Sequence, residues 1–471
     1  MTWPLASFVA AALRSQPHDI DSVGGAGHTP SDLIVLAERV SHALSHEQVR
    51  PGEPVHVRMG NRPADLGSLL GVWQAGAVAV PIHVSAAAAT VESLQKSTGA
   101  RALIDGDRLE RCGASPPPDR GLMRDAALVI FTSGSTGQPK GVVIGHQRFA
   151  DKLLALDRLL KFESSDVALV PLQLTFIFGL WISLLALHAG ARLVLVPKFS
   201  SEAVRRGIEN GATVLAGVPS MFRTLLADPG VSVPDLRMLV SGGEILSRPL
   251  AAAMQRAAPR AAMFDLYGLT ETGSCDFVLG PDDQPAGFET IGSPTEKVAF
   301  RLMAADGRVA GTGTVGELQI CTPFGMLGYL DQPQLTADSF SDGYFRTGDL
   351  ARLTPGGRVQ LVGRSKDIIS RGGNKIAPLE IDNLLCEHPD VAAALCAGVP
   401  DERLGEAVHA VIVLRPGVQT SADALRNWML ARTERFKVPD AFHFSDALPA
   451  GPAGKADRRG VAQLSPQKTS R

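Results

Sequence analysis

Between residues 55 and 268 short apolar runs alternate with longer segments whose apolar residues recur at helical spacing. Residues 55–59 read as a strand. Leu66, Leu69, Leu70 and Trp73 then share one helical face, and Gly76 stands where a helix stop belongs. Gly67 and Gly71 inside that face weaken the intrinsic preference for helix. Further β-like runs follow at 77–80, 127–131, 167–172, 193–196, 214–218 and 238–240, with helical stretches at 149–160, 178–188 and 249–257. Strands and helices alternating in this way predict a largely parallel sheet covered on both faces.

Past residue 290 the runs shorten. Residues 298–303, 316–321 and 359–362 predict strands between Gly-rich turns, a β-rich subdomain closing the larger part. From Lys366 a separate unit begins, with strand 368–370, helix 378–387, strands 393–398 and 408–414, helix 422–431 and strand 441–444. It is an α+β module of roughly a hundred residues, within the usual domain range. The expected fold class is therefore α/β: a large N-terminal domain (1–365) of layered, mostly parallel sheets plus a β-rich subdomain, and a small α+β C-terminal domain (366–471).

Composition narrows the partners. The 471 residues exceed one ordinary domain; 45% are hydrophobic, 20% charged, and the net charge is -2. That balance gives no reason to expect nucleic acid or an anionic membrane as the main partner. Cys112, Cys275, Cys321, Cys386 and Cys396 are scattered without a CxxC pair, as expected of reduced thiols rather than a disulfide frame or zinc site. Residues 1–14 are apolar but lack a basic leader, and Arg14 ends the run, which predicts a short first helix. No stretch approaches the length of a membrane span. A cytoplasmic protein is expected.

The strongest chemical signal is Thr132-Ser-Gly-Ser-Thr-Gly-Gln-Pro-Lys-Gly141, entered directly from the apolar run 128–131. Gly, Ser and Thr after a buried strand place backbone N–H groups and hydroxyls in one concavity, and Lys140 adds a cation at its exit. Polyphosphate needs such a cradle. The spacing is not that of a Walker loop, because Lys140 follows Gln138-Pro139 and precedes Gly141.

This segment resembles the phosphate loop of the adenylate-forming superfamily of acyl- and aryl-CoA synthetases, adenylation domains and firefly luciferase, and the chain looks most like the acyl- and aryl-CoA ligases. The resemblance continues in order through Asp265-Leu-Tyr-Gly-Leu-Thr-Glu-Thr-Gly273, Tyr344-Phe-Arg-Thr-Gly-Asp-Leu350, Gly363-Arg-Ser-Lys-Asp367 and Arg371-Gly-Gly-Asn-Lys-Ile-Ala-Pro378. Lys437-Val-Pro439 and Gly454-Lys455 complete it, so that it covers essentially the whole chain. It implies a ligase that forms acyl-AMP from ATP and a carboxylic acid, releases pyrophosphate and passes the acyl group to CoA.

The resemblance also implies roles. Thr132, Ser133, Gly134, Ser135, Thr136, Gly137 and Lys140 would bind the phosphates, with Thr136 and Lys140 acting in catalysis. Tyr267 would offer adenine a flat face and Asp265 would meet its amino edge, with Leu266, Gly268 and Thr270 beside them. Glu271, with Thr136, would hold Mg²⁺ against the phosphates, since that ion takes few protein carboxylates and keeps phosphate oxygens. Asp349 would accept from the ribose hydroxyls, assisted by Arg364. Lys455 would stabilise the charge that develops on the α-phosphoryl oxygens. Lys366 falls at the family's hinge, which makes the C-terminal domain a mobile one. Its rotation after adenylation would withdraw Lys455 and bring Arg371, Gly372 and Gly373 to line a thiol channel.

The segment Ser241-Gly-Gly-Glu-Ile-Leu246 resembles the loop flanking both sites. Gly243 and Glu244 would face the nucleotide, and Gly242, Gly268, Phe176 and Gly179 the acyl group. Phe176 stands where many of the CoA ligases carry a His before Phe-Gly. No Asp or Glu occurs between Asp166 and Glu202. A substrate ammonium would need such a partner, so an apolar acyl or aryl acid is favoured over an α-amino acid. Phe176, Phe178 and Trp181 fit plain core as well as pocket, and Cys275 lies close enough in sequence to touch substrate. The acceptor stays open between CoA and the phosphopantetheine of a carrier protein. A luciferase-type oxidoreductase and an inert relative are the remaining alternatives.

Overall fold

The alternation along the chain divides between two sheets. The computed structural model describes residues 3–113, 117–133, 139–228, 231, 233, 235–283, 290–449 and 456–463. A seven-stranded sheet takes Pro54–Met59, Val78–His83, Ala102–Asp105, Arg108–Arg111, Ala126–Ser133, Pro139–Gly145 and Gly328–Tyr329. After the helix His146–Leu160 the chain moves to an eight-stranded sheet. This holds Asp21–Ser22, Val167–Val170, Arg192–Leu195, Val214–Gly217, Met238–Gly242, Ala262–Tyr267, Phe277–Leu279 and Ser293–Pro294. The central pairings of both sheets are parallel, and antiparallel strands lie toward their edges. The expected layered, mostly parallel sheets are these two; period-two patterning reports that a strand exists and not which of the two sheets receives it.

Ile177–His188 and Pro63–Gln74 are buried along almost their whole length, and one core cluster joins them to residues of both sheets. Helices apolar all round belong in such an interior. A helix that the strand–helix pattern did not reveal, Pro30–His46, is capped by Thr29 and Asp32 and buries Leu33, Leu36, Ala37, Val40 and Leu44. It explains the glycines within the helical pattern: a Cβ on Gly71 would lie 2.5 Å from Ala37 O. The expected first helix is Pro4–Ser15.

The β-rich subdomain is a five-stranded sheet of Ala299–Met303, Val315–Cys321, Phe340–Ser341, Tyr344–Leu353 and Val359–Arg364. The C-terminal unit has its own five-stranded sheet, with Pro378–Cys386 and Ala422–Leu430 contributing Ile381, Leu385, Leu425 and Met429 to a separate core. One expectation is corrected here. The strand Ile369–Arg371 turns back into a second strand, Asn374–Ile376, before the helix begins. Gly372 (φ 53°) and Gly373 (φ 84°) supply the two left-handed residues such a tight hairpin demands. Among the described residues no helix is long and apolar enough to cross a membrane.

Candidate nucleotide and acyl site

Met238–Gly242 and Ala262–Tyr267 are parallel neighbours, which sets Ser241 opposite Asp265 and Gly242 opposite Leu266 at their C-terminal ends. Open α/β sheets bind ligands at that end. Ser241 Oγ and Asp265 Oδ1 are both buried, and neither finds a hydrogen-bond partner of good geometry among the described residues. Burial pushes the Asp265 carboxyl up to about 7, opposed by the neighbouring Ser241 hydroxyl and the Leu266 N–H, which favour its charged form. Orphaned buried polar atoms are rare in native proteins. Here they form an acceptor-bearing recess that fits the amino edge of a purine.

Three motifs separated in sequence meet beside it. Tyr267 Oη donates to Asp349 Oδ2 at 2.6 Å, and Arg364 Nε donates to Asp349 Oδ1 at 2.8 Å. Asp349 and Arg364 are cross-strand partners, so the register of the β-rich sheet positions the pair. Burial first, and then the Asp349 carboxylate, push the Tyr267 phenol well above its ordinary value and keep it a donor.

Glu271 sits in the short 3₁₀ turn Thr270–Thr272 and accepts from Tyr329 Oη at 3.1 Å. Lys140 Nζ stands 5.3 Å from the centroid of that same Tyr329 ring, and Lys140 pairs across its hairpin with Thr132. Tyr329 thus joins Lys140, at the exit of the loop expected to bind phosphate, to Glu271, the expected metal carboxylate. Sequence reasoning missed it, although it is one of only three tyrosines in the chain. Gly134, Ser135, Thr136, Gly137 and Lys455 lie outside the described residues. No group of three or more His, Cys, Asp or Glu among the described residues could hold a metal. A site of one carboxylate plus ligand oxygens suits Mg²⁺.

The Glu244 carboxylate accepts from Ser220 N at 3.0 Å and Ser220 Oγ at 2.9 Å, which ties its loop to the first turn of Pro219–Ala227. Gly243 takes φ 80° in that loop. On the acyl side, Asn61 is buried and anchors the segment before Phe176. Its Nδ2 donates to Leu172 O at 2.7 Å and Val196 O at 3.1 Å, and its Oδ1 accepts from Leu174 N at 2.7 Å. Phe176 is 38% exposed, whereas Trp181 is fully buried. Phe178 stacks on Trp181 at 5.1 Å, and Trp181 Nε1 donates to Ser274 Oγ at 3.2 Å. A Cβ on Gly242 would meet Phe178 Cε1 at 3.3 Å, and one on Gly268 would meet Cys275 N at 2.3 Å. Phe178 therefore packs on Gly242, and the buried Trp181 links it to Ser274, whose backbone lies against Gly268. Cys275 is buried, which pushes its thiol up to about 12 and leaves no thiolate for chemistry.

In the C-terminal unit, Lys366 lies in the 3₁₀ turn Ser365–Asp367. The Arg371 guanidinium donates to Phe436 O at 2.5 Å and pairs with Asp440, while Gly372 and Gly373 stand exposed at the hairpin tip.

Comparison with known proteins adds an independent line. A family of AMP-binding enzymes matches residues 10–116 and 107–330, and the AMP-binding enzyme C-terminal domain matches residues 380–455. The fatty acid–acyl-carrier-protein ligase ScoC of Streptomyces coeruleorubidus is 32% identical over 486 residues, covering 92% of this chain and 93% of that protein. Feruloyl-CoA synthase of an Amycolatopsis species is 31% identical over 478 residues, covering 96% and 97%. ATP-bound MatB from Rhodopseudomonas palustris shares the fold, with a TM-score of 0.85 at 24% identity over 97% of this chain and 98% of that one.

Proposed function

Because the chain belongs to the AMP-binding enzyme family, we propose that it activates a carboxylic acid with ATP and passes the acyl group to the thiol of CoA. The observation that carries this reading is the convergence on Asp349 of Tyr267 and Arg364, with the buried Asp265 carboxyl on the same strand as Tyr267. In the first half-reaction a carboxylate oxygen attacks the α-phosphorus, and the bond to pyrophosphate breaks. In the second, the thiol sulfur attacks the acyl carbon, and AMP leaves with the oxygen it shared.

Asp265 accepts from the adenine amino group, and Tyr267 faces the ring with Leu266, Gly268, Thr270, Gly243 and Glu244 around it. Asp349 and Arg364 meet the ribose. Thr132, Ser133, Gly134, Ser135, Thr136, Gly137 and Lys140 cradle the phosphates. Glu271 and Thr136 would hold Mg²⁺, which when bound neutralises phosphate charge. Lys455 stabilises the charge growing at the α-phosphoryl group. Lys366 is the hinge about which the C-terminal domain, from 366 onward, turns to present Arg371, Gly372 and Gly373 to the pantetheine arm. The acid is apolar, acyl or aryl, because Phe178 packs on Gly242 and no carboxylate lies between Asp166 and Glu202, with Gly268 completing the acyl lining. Phe176 and Gly179 complete its segment. A cytoplasmic location accompanies this reading, given five free cysteines.

One specific observation favours a second acceptor. ScoC is a ligase of fatty acid to acyl carrier protein. Pyrophosphate release across short, long and aryl acids, with CoA and with a holo-carrier protein in parallel, identifies acid and acceptor together. Lys455→Ala should abolish ATP–pyrophosphate exchange while sparing thioester formation from supplied acyl-AMP. Undiminished exchange in that variant overturns the assignment of Lys455.

A further inference from the structure

Lys152, on the helix His146–Leu160, is 1% exposed. Burying an ammonium is expensive unless it is paired and bonded, so its partners show what it is for. Its Nζ donates to Cys275 O at 2.7 Å and lies 5.2 Å from the centroid of the Phe324 ring. Thr295 Oγ1 donates to the same carbonyl at 2.9 Å. The nearby Asp276 is fully buried; burial raises its carboxyl to about 6, and the charge of Lys152 opposes that rise.

The carbonyl held in this way ends three consecutive left-handed residues: Gly273 (φ 86°), Ser274 (φ 66°) and Cys275 (φ 54°). Two of them carry side chains, for which this backbone is disfavoured, and such conformations persist only where the surroundings over-determine them. The inner side of the turn is bonded as well. Ser274 N donates to Leu269 O at 2.8 Å, Asp276 N donates to Tyr267 O at 2.7 Å, and Thr272 bonds Asp276. Just ahead of the turn stands Glu271, and within it Ser274 Oγ receives Trp181 Nε1.

We propose that Lys152 is a positioning residue: its buried ammonium clamps the Cys275 carbonyl and so holds the left-handed turn that sets Glu271 for the metal and Ser274 against Trp181. This rests on the function proposed above. Lys152 itself touches no reacting atom. A lysine acting merely as filler would be replaceable by methionine, whereas one that clamps a carbonyl needs its charge and donor.

The test uses full-length Lys152→Met and Lys152→Arg. Lys152→Met should melt cooperatively, yet lose at least tenfold in kcat for ATP–pyrophosphate exchange and need several-fold more Mg²⁺ for half-saturation. The KM for ATP should change less, and Lys152→Arg should recover part of the loss. Thr295→Val, which removes the second donor to that carbonyl, should shift the Mg²⁺ dependence in the same direction by a smaller factor, and it serves where Lys152→Met fails to fold. Wild-type kcat and Mg²⁺ dependence in folded Lys152→Met, or in Thr295→Val where that variant has to stand alone, overturn the proposal. Absence of exchange in the wild-type enzyme with every acid would instead remove the function reading. Native-state labelling of Cys275, mapped by mass spectrometry, then decides: faster labelling in Lys152→Met or Thr295→Val supports the clamp, and unchanged labelling refutes it.

Discussion

Tyr267 and Asp349 lie 82 residues apart in the chain and are joined by a hydrogen bond of 2.6 Å from the phenol to the carboxylate. The bond couples the end of a parallel strand in the large sheet to the β-rich subdomain. Arg364 occupies the other carboxylate oxygen. Tyr267→Phe keeps the ring and removes only the donor. It should cost about 1.5–3 kcal/mol in urea unfolding, the range for a hydrogen bond to a charged group. It should also raise the KM for ATP. In an Asp349→Ala background the same substitution should cost almost nothing, and an undiminished cost there would show that the two groups are not coupled.

Much of this arrangement was legible in the sequence, for a physical reason. Strands such as Val214–Gly217 and helices such as Ile177–His188 are set by local apolar spacing, and their predicted bounds lie within one or two residues of those observed. Asp265, Tyr267, Glu271, Asp349 and Arg364 belong to short motifs whose local geometry travels with them. Tyr329, Asn61 and Lys152 were not legible. Each acts on a partner far away in sequence, at separations of 58, 111 and 123 residues for Glu271, Leu172 and Cys275. No local pattern encodes a contact of that kind. The second strand of the C-terminal hairpin was missed for a different reason: Asn374–Ile376 is too short to show alternation.

Asp265 predicts a pH dependence of stability. Its folded carboxyl is raised by burial to about 7, well above the ordinary aspartate value. Folding therefore favours the protonated form. The stability this group contributes is fully present below about pH 4 and is lost as pH rises through about 7. Asp265→Asn stays neutral throughout. The melting temperature of the variant relative to wild type should rise between pH 5 and pH 8 in ligand-free protein. A flat difference would mean that Asp265 is ionised in the folded state at no cost.

His146 predicts the opposite slope. It is buried at the start of its helix, stacked on Trp3 at 5.0 Å, with neither ring nitrogen bonded among the described residues. Burial lowers its value to about 4. A depressed histidine contributes stability that is present above about pH 6.5 and is lost as pH falls through about 4. His146→Phe removes the titration while keeping an aromatic partner for Trp3. Its melting temperature relative to wild type should climb as pH falls from 7 to 4, and a constant offset across that range would overturn the account.

Gly179 offers the sharpest steric test of the proposed acyl side. A Cβ there would lie 2.3 Å from Gln173 O and 2.7 Å from its carbonyl carbon. Both are backbone atoms, so no rotamer change relieves the clash. The strand-to-helix segment ahead of Phe176 would have to move, against the hold of Asn61 on Leu172 and Leu174. Gly179→Ala should therefore cost about 1–3 kcal/mol, the range for inserting a methyl into a packed site. The displaced segment carries Phe176 and adjoins Phe178, so the acid KM should rise while the KM for ATP, which the proposed function assigns to Asp265, Tyr267 and Asp349, stays near that of wild type. Asn61→Ala loosens the same segment without adding volume, and it should shift the acid KM in the same direction. An equal rise in both KM values for Gly179→Ala would show that this segment serves the whole site rather than the acid alone.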